Sequence, residues 1–347
     1  MSQNELTVGV IGTGAVAGAH IDNWQRVAGT EVVAVGSRNL ARAQQTIHKH
    51  KLARASAYDD WQKLLAHDGL DVVSLCTPHF DHPEQTIAAA EAGKHVVIEK
   101  PVALNRADLQ RMLKAVRENG VLTSVCFELH WIGSFLNTRA LIDRGELGEV
   151  FYAEAAYNHG IKRDNPQFQW GHQTREAGGS AFLTVGCHAL DAVLHLLNDR
   201  AETVSAFAQT TAANEEGYEY PANAVAILKT AAGRIAKASV SLESENPYYF
   251  PVTVQGNKGT VTDQFYYSAN LPAIKGWNEL ATDVPASGDP AHHPYQGQFE
   301  HLKHCIGTGA CPDNDLKAAA HVHEACFAID QSIEQAGKPV PVSETDT

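Results

Sequence analysis

The chain has 347 residues, of which 44% are hydrophobic and 19% charged, with a formal net charge of -13. That length suits two domains, each with its own core, and the acidic balance argues against a nucleic-acid or anionic membrane surface, which needs a basic face. No apolar run approaches the roughly 18 residues of a spanning helix, and the start, Met-Ser-Gln-Asn-Glu-Leu, has no basic or apolar leader region. The six cysteines are scattered without a Cys-x-x-Cys, so a cytoplasmic chain with reduced thiols is expected.

Residues 7–11 read as a buried strand that runs into Gly12-Thr-Gly14-Ala15-Val16-Ala17. Gly12 permits a tight turn and Gly14 lets the backbone approach a pyrophosphate, which then sits on the N-terminus of a helix over about 15–27. A second strand, 31–35, follows at βαβ distance and completes a dinucleotide fingerprint. At its end, where NAD enzymes usually place an acid for the ribose 2′-hydroxyl, stand Gly36-Ser37-Arg38. A guanidinium beside a hydroxyl suits a 2′-phosphate, so NADP is expected, with NAD as the alternative. Arg38 also reads as a solvated residue opening the next helix.

A helix over 40–50 and a short amphipathic one over 60–66 lead to a buried strand, 71–76, which ends at Thr77-Pro78-His79-Phe80-Asp81-His82. His82, with Pro83 beside it, reads as a helix N-terminus, and Gly93 stops that helix. The stretch Ala92-Gly-Lys-His-Val-Val-Ile-Glu99-Lys100-Pro101 follows. Its apolar, β-branched run is a buried strand that Pro101 ends. In an open α/β sheet ligands bind beyond the carboxyl ends of the strands, so Glu99 and Lys100 are expected in the crevice. Asn105 suits an N-cap, Leu109, Met112, Leu113 and Val116 share one helix face, and Gly120 closes that helix before a strand over 121–127. Such alternation gives a doubly wound parallel sheet over 1–128.

The second half, 129–347, changes character. A helix over 138–144 precedes β-rich runs at 149–157, 203–209, 224–229, 234–242 and 251–255, with turns at 231–233 and 256–259. This is an α+β pattern with a mainly antiparallel sheet. Between the β runs, apolar residues from Leu183 onward keep helical spacing and put Thr184 and His188 on one face. His159 and Lys162-Arg163 follow the first of these strands and reach toward a substrate mouth or form a solvated loop, and 276–295 is the one long loop candidate. Among the 18 histidines, His301 and His304 lie a turn apart and His321 and His323 face different ways, which completes no recognised ligand spacing, so no metal is expected.

On Gly9-Val-Ile-Gly-Thr-Gly14, Thr77-Pro78-x-x-x-His82 and the segment ending Glu99-Lys100-Pro101, the chain resembles the Gfo/Idh/MocA family, named for glucose-fructose oxidoreductase, inositol dehydrogenase and rhizopine catabolism. The resemblance implies a Rossmann domain carrying NAD(P) and a C-terminal domain with a large open sheet, through which homodimers or homotetramers form. It implies hydride transfer between a secondary hydroxyl of a sugar, cyclitol or glycoside and the nicotinamide. By the same resemblance Lys100 contacts the reacting hydroxyl, and His188 is the base, or the partner that holds the hydroxyl, on a pattern that Gly186 and Asp191 also match. Thr184 stands where the family commonly has an Asp, so a neutral hydroxyl replaces a charge beside the imidazole. Glu128 and His130 replace the usual Asn/Gln and Arg on the substrate side.

The expected cofactor contacts are therefore Gly12, Gly14, Ala15, Val16, Ser37, Arg38, Thr77, Pro78, His82, Glu99, Lys100 and Trp170. The expected substrate contacts are Lys100, Glu128, His130, His159, Lys162 and His188, with Lys100, His188 and Thr184 catalytic. A redox-assisted glycoside hydrolase or lyase of the same family and a non-catalytic dinucleotide-binding regulator remain open.

Overall fold

The apolar, β-branched runs of the first half become the strands of one sheet. The structure is a computed structural model that describes residues 5–161, 171, 173–211, 217–273, 275–280 and 292–344. Two compact units emerge: residues 1–128 with 289–320, and residues 129–288 with 321–345. Lys162, Arg163, Trp170 and most of the 276–295 loop lie outside the described residues.

The first unit runs β1 (Leu6–Ile11), α1 (Ala15–Trp24), β2 (Thr30–Gly36), α2 (Leu40–Lys49), β3 (Ser56–Tyr58), α3 (Trp61–Leu65), β4 (Val72–Leu75), α4 (His82–Glu91), β5 (His95–Ile98), α5 (Arg106–Asn119) and β6 (Thr123–Val125). Every pairing is parallel, in the order β3-β2-β1-β4-β5-β6. Val8, Val10, Val72, Val73, Val96 and Val97 are wholly buried, as expected of a sheet covered on both faces. Helix starts follow local chemistry: the side chains of Asn39, Asp60 and Asn105 accept backbone N–H bonds at α2, α3 and α5. Gly120 closes α5 in the left-handed conformation.

A helix from far down the chain, Tyr295–Thr308, completes this unit's core. Tyr295, Phe299 and Leu302 are buried in one cluster with Val8, Trp24 and Val35, and Phe299 stacks on Trp24 with ring centroids 4.3 Å apart. Of residues 129–347, expected to form the second domain, 289–320 group with the first unit. Local patterning identifies a helix and its apolar face without identifying what that face covers.

The second unit contains α6 (Gly133–Asp143), β7 (Val150–Asn158), α7 (Arg175–Gly178), α8 (Cys187–Leu197), β8 (Ala201–Gln209), β9 (Asn223–Thr230), β10 (Ile235–Ser241), β11 (Val252–Gly256), β12 (Gly259–Thr262), β13 (Phe265–Ser268) and β14 (Asn278–Glu279). The Tyr295–Thr308 helix is α9, and α10 (Leu316–Glu334) and β15 (Val340–Pro341) follow. Nine strands lie in the order β14-β13-β12-β11-β7-β10-β9-β8-β15. All pair antiparallel except β7 with β10. The turns expected at 231–233 and 256–259 connect β9 to β10 and β11 to β12.

One sheet face is buried through Ala153, Ala155, Ala236, Ala238 and Val240, against which α8 packs. The other face exposes Phe207, Val225, Ile227 and Ile235, the period-2 alternation of a one-sided sheet, and Phe151 is exposed where β7 shifts register against β11. The helical run Arg175–Leu197 is long and apolar enough to cross a membrane by length and composition, yet it is buried inside the unit and is a core helix. Ser180, Thr184, His188 and Asp191 interrupt it, so no continuous apolar run marks it in the sequence.

Candidate dinucleotide and substrate sites

In the first unit four strand ends stop at one level, because Ile11 pairs with Gly36 on one side and Leu75 on the other, and Leu75 pairs with Ile98. The strand order reverses between β1 and β4, the position at which an open α/β sheet binds its ligand. Gly12 has φ +115°, and a Cβ there would lie 2.2 Å from the Cys76 carbonyl oxygen, so only glycine fits this turn. Gly14, the N-cap of α1, has no side-chain cap, and a Cβ on it would meet nothing within 4 Å. Ala15 opens the helix and Val16 is half-buried in its first turn. An uncapped helix N-terminus with open space above a glycine fits a pyrophosphate.

Around it, Ser37 Oγ accepts from Thr13 Oγ1 at 3.3 Å. Arg38 is exposed. Burial raises the Asp81 carboxyl above its usual range, and the Arg38 charge pulls it back. A cleft of about 610 Å³ opens beside Thr13 and Gly14, and Arg42, Thr46 and Lys49 line its far wall. Arg42 and Lys49 are not among the expected site residues, although the spacing 42, 46, 49 marks one face of α2.

At the end of β5, Lys100 is half-exposed whereas Glu99 is buried. Glu99 was expected in the crevice, but its carboxylate turns inward. His20 Nε2 donates to Oε1 at 3.1 Å, the Tyr295 hydroxyl donates to the same oxygen at 3.0 Å, and the Lys100 N–H reaches Oε2 at 3.2 Å. Burial pushes this carboxyl up, but the bond and charge of His20, the Lys100 charge and the Tyr295 bond outweigh it and hold it down to about 2.

Cys126 Sγ joins His20 and Glu99 in a cluster of metal-capable atoms within 4.8 Å of one another. Within it His20 Nε2 bonds Glu99 Oε1 and lies 3.8 Å from Cys126 Sγ. Thr77 donates its hydroxyl to Gln85 Oε1 at 2.6 Å, and Pro78 is half-exposed beside it. His82, expected to touch the cofactor, is wholly buried, with both ring nitrogens on backbone carbonyls. Glu128 is also buried, 3.6 Å from His293 Nδ1.

In the second unit a π-helical turn, Phe182–Gly186, precedes α8. Gly186 lets it pack on β10, since a Cβ there would lie 2.9 Å from Phe182 and 3.1 Å from Val240. His188 is buried on α8. Its ring lies parallel to Tyr157 at 6.0 Å and edge-on to Phe250 at 6.1 Å. Tyr157 reaches His159 Nδ1 at 3.2 Å, and Tyr248 closes on His159 at 4.9 Å. Thr184 donates its hydroxyl to the Gly171 carbonyl at 3.1 Å. His130, expected on the substrate side, is buried, and its Nε2 is 2.7 Å from Asp191 Oδ2. Its ring also stacks on His195 at 3.8 Å.

Residues 6–127 match the oxidoreductase family with an NAD-binding Rossmann fold, and residues 135–262 match the GFO/IDH/MocA C-terminal domain. The chain belongs to the Gfo/Idh/MocA family.

It is 32% identical to the D-glucoside 3-dehydrogenase of Escherichia coli over 202 residues, 57% of this chain and 55% of that protein. The chain thus spans about half the length of this curated relative. It is 26% identical to the myo-inositol 2-dehydrogenase of Thermotoga maritima over 257 residues, 74% of each chain. A levoglucosan dehydrogenase solved in complex with NADH and levoglucosan shares the fold at TM-score 0.86 and 19% identity, covering 98% of this chain and 99% of that one.

Set beside the Gfo/Idh/MocA pattern, Thr184 uses its hydroxyl on a backbone carbonyl, and the acid one turn beyond His188, Asp191, is engaged by a histidine where the family usually has an arginine. His301 and His321, weighed as metal ligands, accept the backbone N–H groups of Asp313 and Ala201.

Proposed function

We propose that the protein is a nicotinamide-dependent dehydrogenase acting on a secondary hydroxyl of a sugar, cyclitol or glycoside, with NADP preferred over NAD. The observation that carries this reading is the set of level strand ends, with an uncapped, open glycine turn at β1 and a half-exposed lysine at β5. The sugar and cyclitol dehydrogenases among its relatives support the substrate class.

Gly12 and Gly14 hold the pyrophosphate, and Ser37, Arg38 and Arg42 meet the 2′-phosphate. Lys100 lowers the pKa of the substrate hydroxyl through its positive charge, and His188 accepts the proton. Bound nicotinamide supplies the hydride acceptor. Thr184 brings no charge to His188. Glu128, His159 and Lys162 shape the substrate side, with His130 acting through Asp191. The first unit is the dinucleotide domain and the second serves substrate and assembly. The exposed Phe207, Val225, Ile227 and Ile235 form a patch of the kind that a second copy covers. We place the protein in the cytoplasm, consistent with six free cysteines.

The test follows reduced-nicotinamide absorbance with NADP and with NAD over a panel of polyols, sugars and aryl glycosides, beside a leaving-group assay. Reduction with at least one polyol or sugar is expected. Leaving-group release without net reduction would favour the redox-assisted hydrolase, and dinucleotide binding with neither signal would favour the regulator. A monomeric mass at micromolar concentration would remove the assembly role of the sheet.

A further inference from the structure

His82 is wholly buried at the first turn of α4. Its Nδ1 lies 2.9 Å from the Pro101 carbonyl oxygen and its Nε2 lies 3.0 Å from the Thr77 carbonyl oxygen. A carbonyl oxygen only accepts, and a neutral imidazole has one N–H, so a neutral ring satisfies one of these two contacts and turns a lone pair on the other. Only the imidazolium donates to both. The two carbonyls belong to the exits of neighbouring strands: Thr77 follows β4, and Pro101 follows Lys100 at the end of β5.

We infer that His82 is a positioning residue, a proton-linked clamp whose protonated ring ties the Thr77 and Pro101 backbones together and so fixes where Lys100 stands. This rests on the proposed role of Lys100 in hydride transfer. Gln85, one turn along α4, grips the same Thr77 through its hydroxyl, so the β4 exit is anchored and the proton governs chiefly the β5 side.

The charged groups around the ring act in opposite directions. Burial pulls His82 below the ordinary histidine value. The Pro101 bond, the Glu99 charge from β5, the Thr77 bond and the Asp81 charge on the preceding turn push it up. Arg38 acts on Asp81 and Lys100 acts on Glu99, weakening both of those attractions. Among the described residues His79 is a further titratable neighbour, with its ring centroid 6.0 Å away. The proton therefore enters on the acid side of ordinary histidine titration, closing the second bond as pH falls. A neutral ring turns a lone pair on one of the two carbonyls at higher pH.

The full-length protein labelled with 15N-histidine, with and without saturating NADP, tests this by ring-nitrogen NMR between about pH 8 and about pH 5, a range that brackets ordinary histidine titration. One ring should gain a second N–H as pH falls, with both protons exchanging slowly with solvent. That signal should vanish in His82→Gln, and contacts from the ring to Pro101 assign it without any variant. A ring that keeps a single proton throughout, or exchanges like a surface histidine, overturns the clamp.

In turnover, wild-type kcat should show an inflection at the same pH. His82→Gln should lose that inflection and lower kcat on the order of tenfold, as loss of an orienting partner does, with the polyol KM nearly unchanged. His82→Asn serves if Gln does not fold. A pH profile superimposable on the wild type overturns the positioning role. If the wild type oxidises no polyol or sugar, the proposed function has failed, while the ring spectrum still decides the clamp.

Discussion

Asp330 on α10 offers a quantitative check of the second unit's interior. It borders a cavity of about 50 Å³ with Arg175, Ser180, Phe182 and Tyr220, at the start of the π-helical turn that carries Thr184. Burial raises its carboxyl from 3.8 to about 7, against the Ser180 hydrogen bond and the Arg175 charge, which lower it. The folded protein therefore tolerates the neutral acid better than the carboxylate. The resulting penalty is absent below about pH 4, accumulates as pH rises toward the folded value, and is constant above it. A move from 3.8 to about 7 amounts to on the order of 4 kcal/mol once the group is fully ionised.

Asp330→Asn keeps a partner for Ser180 and removes the charge. It is expected to raise unfolding free energy by up to about 4 kcal/mol near pH 8 and to change it little near pH 4. Urea unfolding across that range, with constant slope in denaturant, measures it. A gain that does not depend on pH, or a loss near pH 8, would refute the argument.

Arg38→Ala should weaken NADP by on the order of 1.5–3 kcal/mol, the worth of a charge-assisted bond, and leave NAD almost unchanged; calorimetric titration of both cofactors decides it. Lys100→Met should keep dinucleotide affinity and lower turnover by about a hundredfold or more, and near-normal turnover would remove Lys100 from the chemistry. Thr184→Asp should raise the pKa of the His188 imidazole and move the acidic limb of the pH-rate profile upward; an unchanged limb means that His188 is not the titrating base.

The residues whose placement was legible in the sequence are those positioned by their immediate neighbours. Gly12 and Gly14 follow a β-branched run and open a helix, Lys100 precedes a proline at a strand end, and Asn105 and Gly120 bracket one helix. Each rule needs only a few residues. What could not be read depends on partners distant in the chain. Tyr295 bonds Glu99 across 196 positions, so neither the inward turn of Glu99 nor the place of α9 shows in a local pattern. His82 reads as a helix N-terminus, and that is where it lies, but the two carbonyls its ring meets depend on how two strand exits converge. The π-helical turn escaped because periodicity from Leu183 onward was matched to a 3.6-residue helix.

The Trp24–Phe299 stack also bears on how the chain is made. A ribosome releases Val8, Trp24 and Val35 long before Phe299, so the first unit waits with an incomplete core while all of β7 to β14 is synthesised. Within that inserted stretch, β7 takes both of its neighbours, β10 and β11, from residues made much later. Folding in strict order of emergence is therefore closed to this chain, and a product that terminates before α9 presents the unfilled face of Trp24 to chaperones and to other unfinished copies.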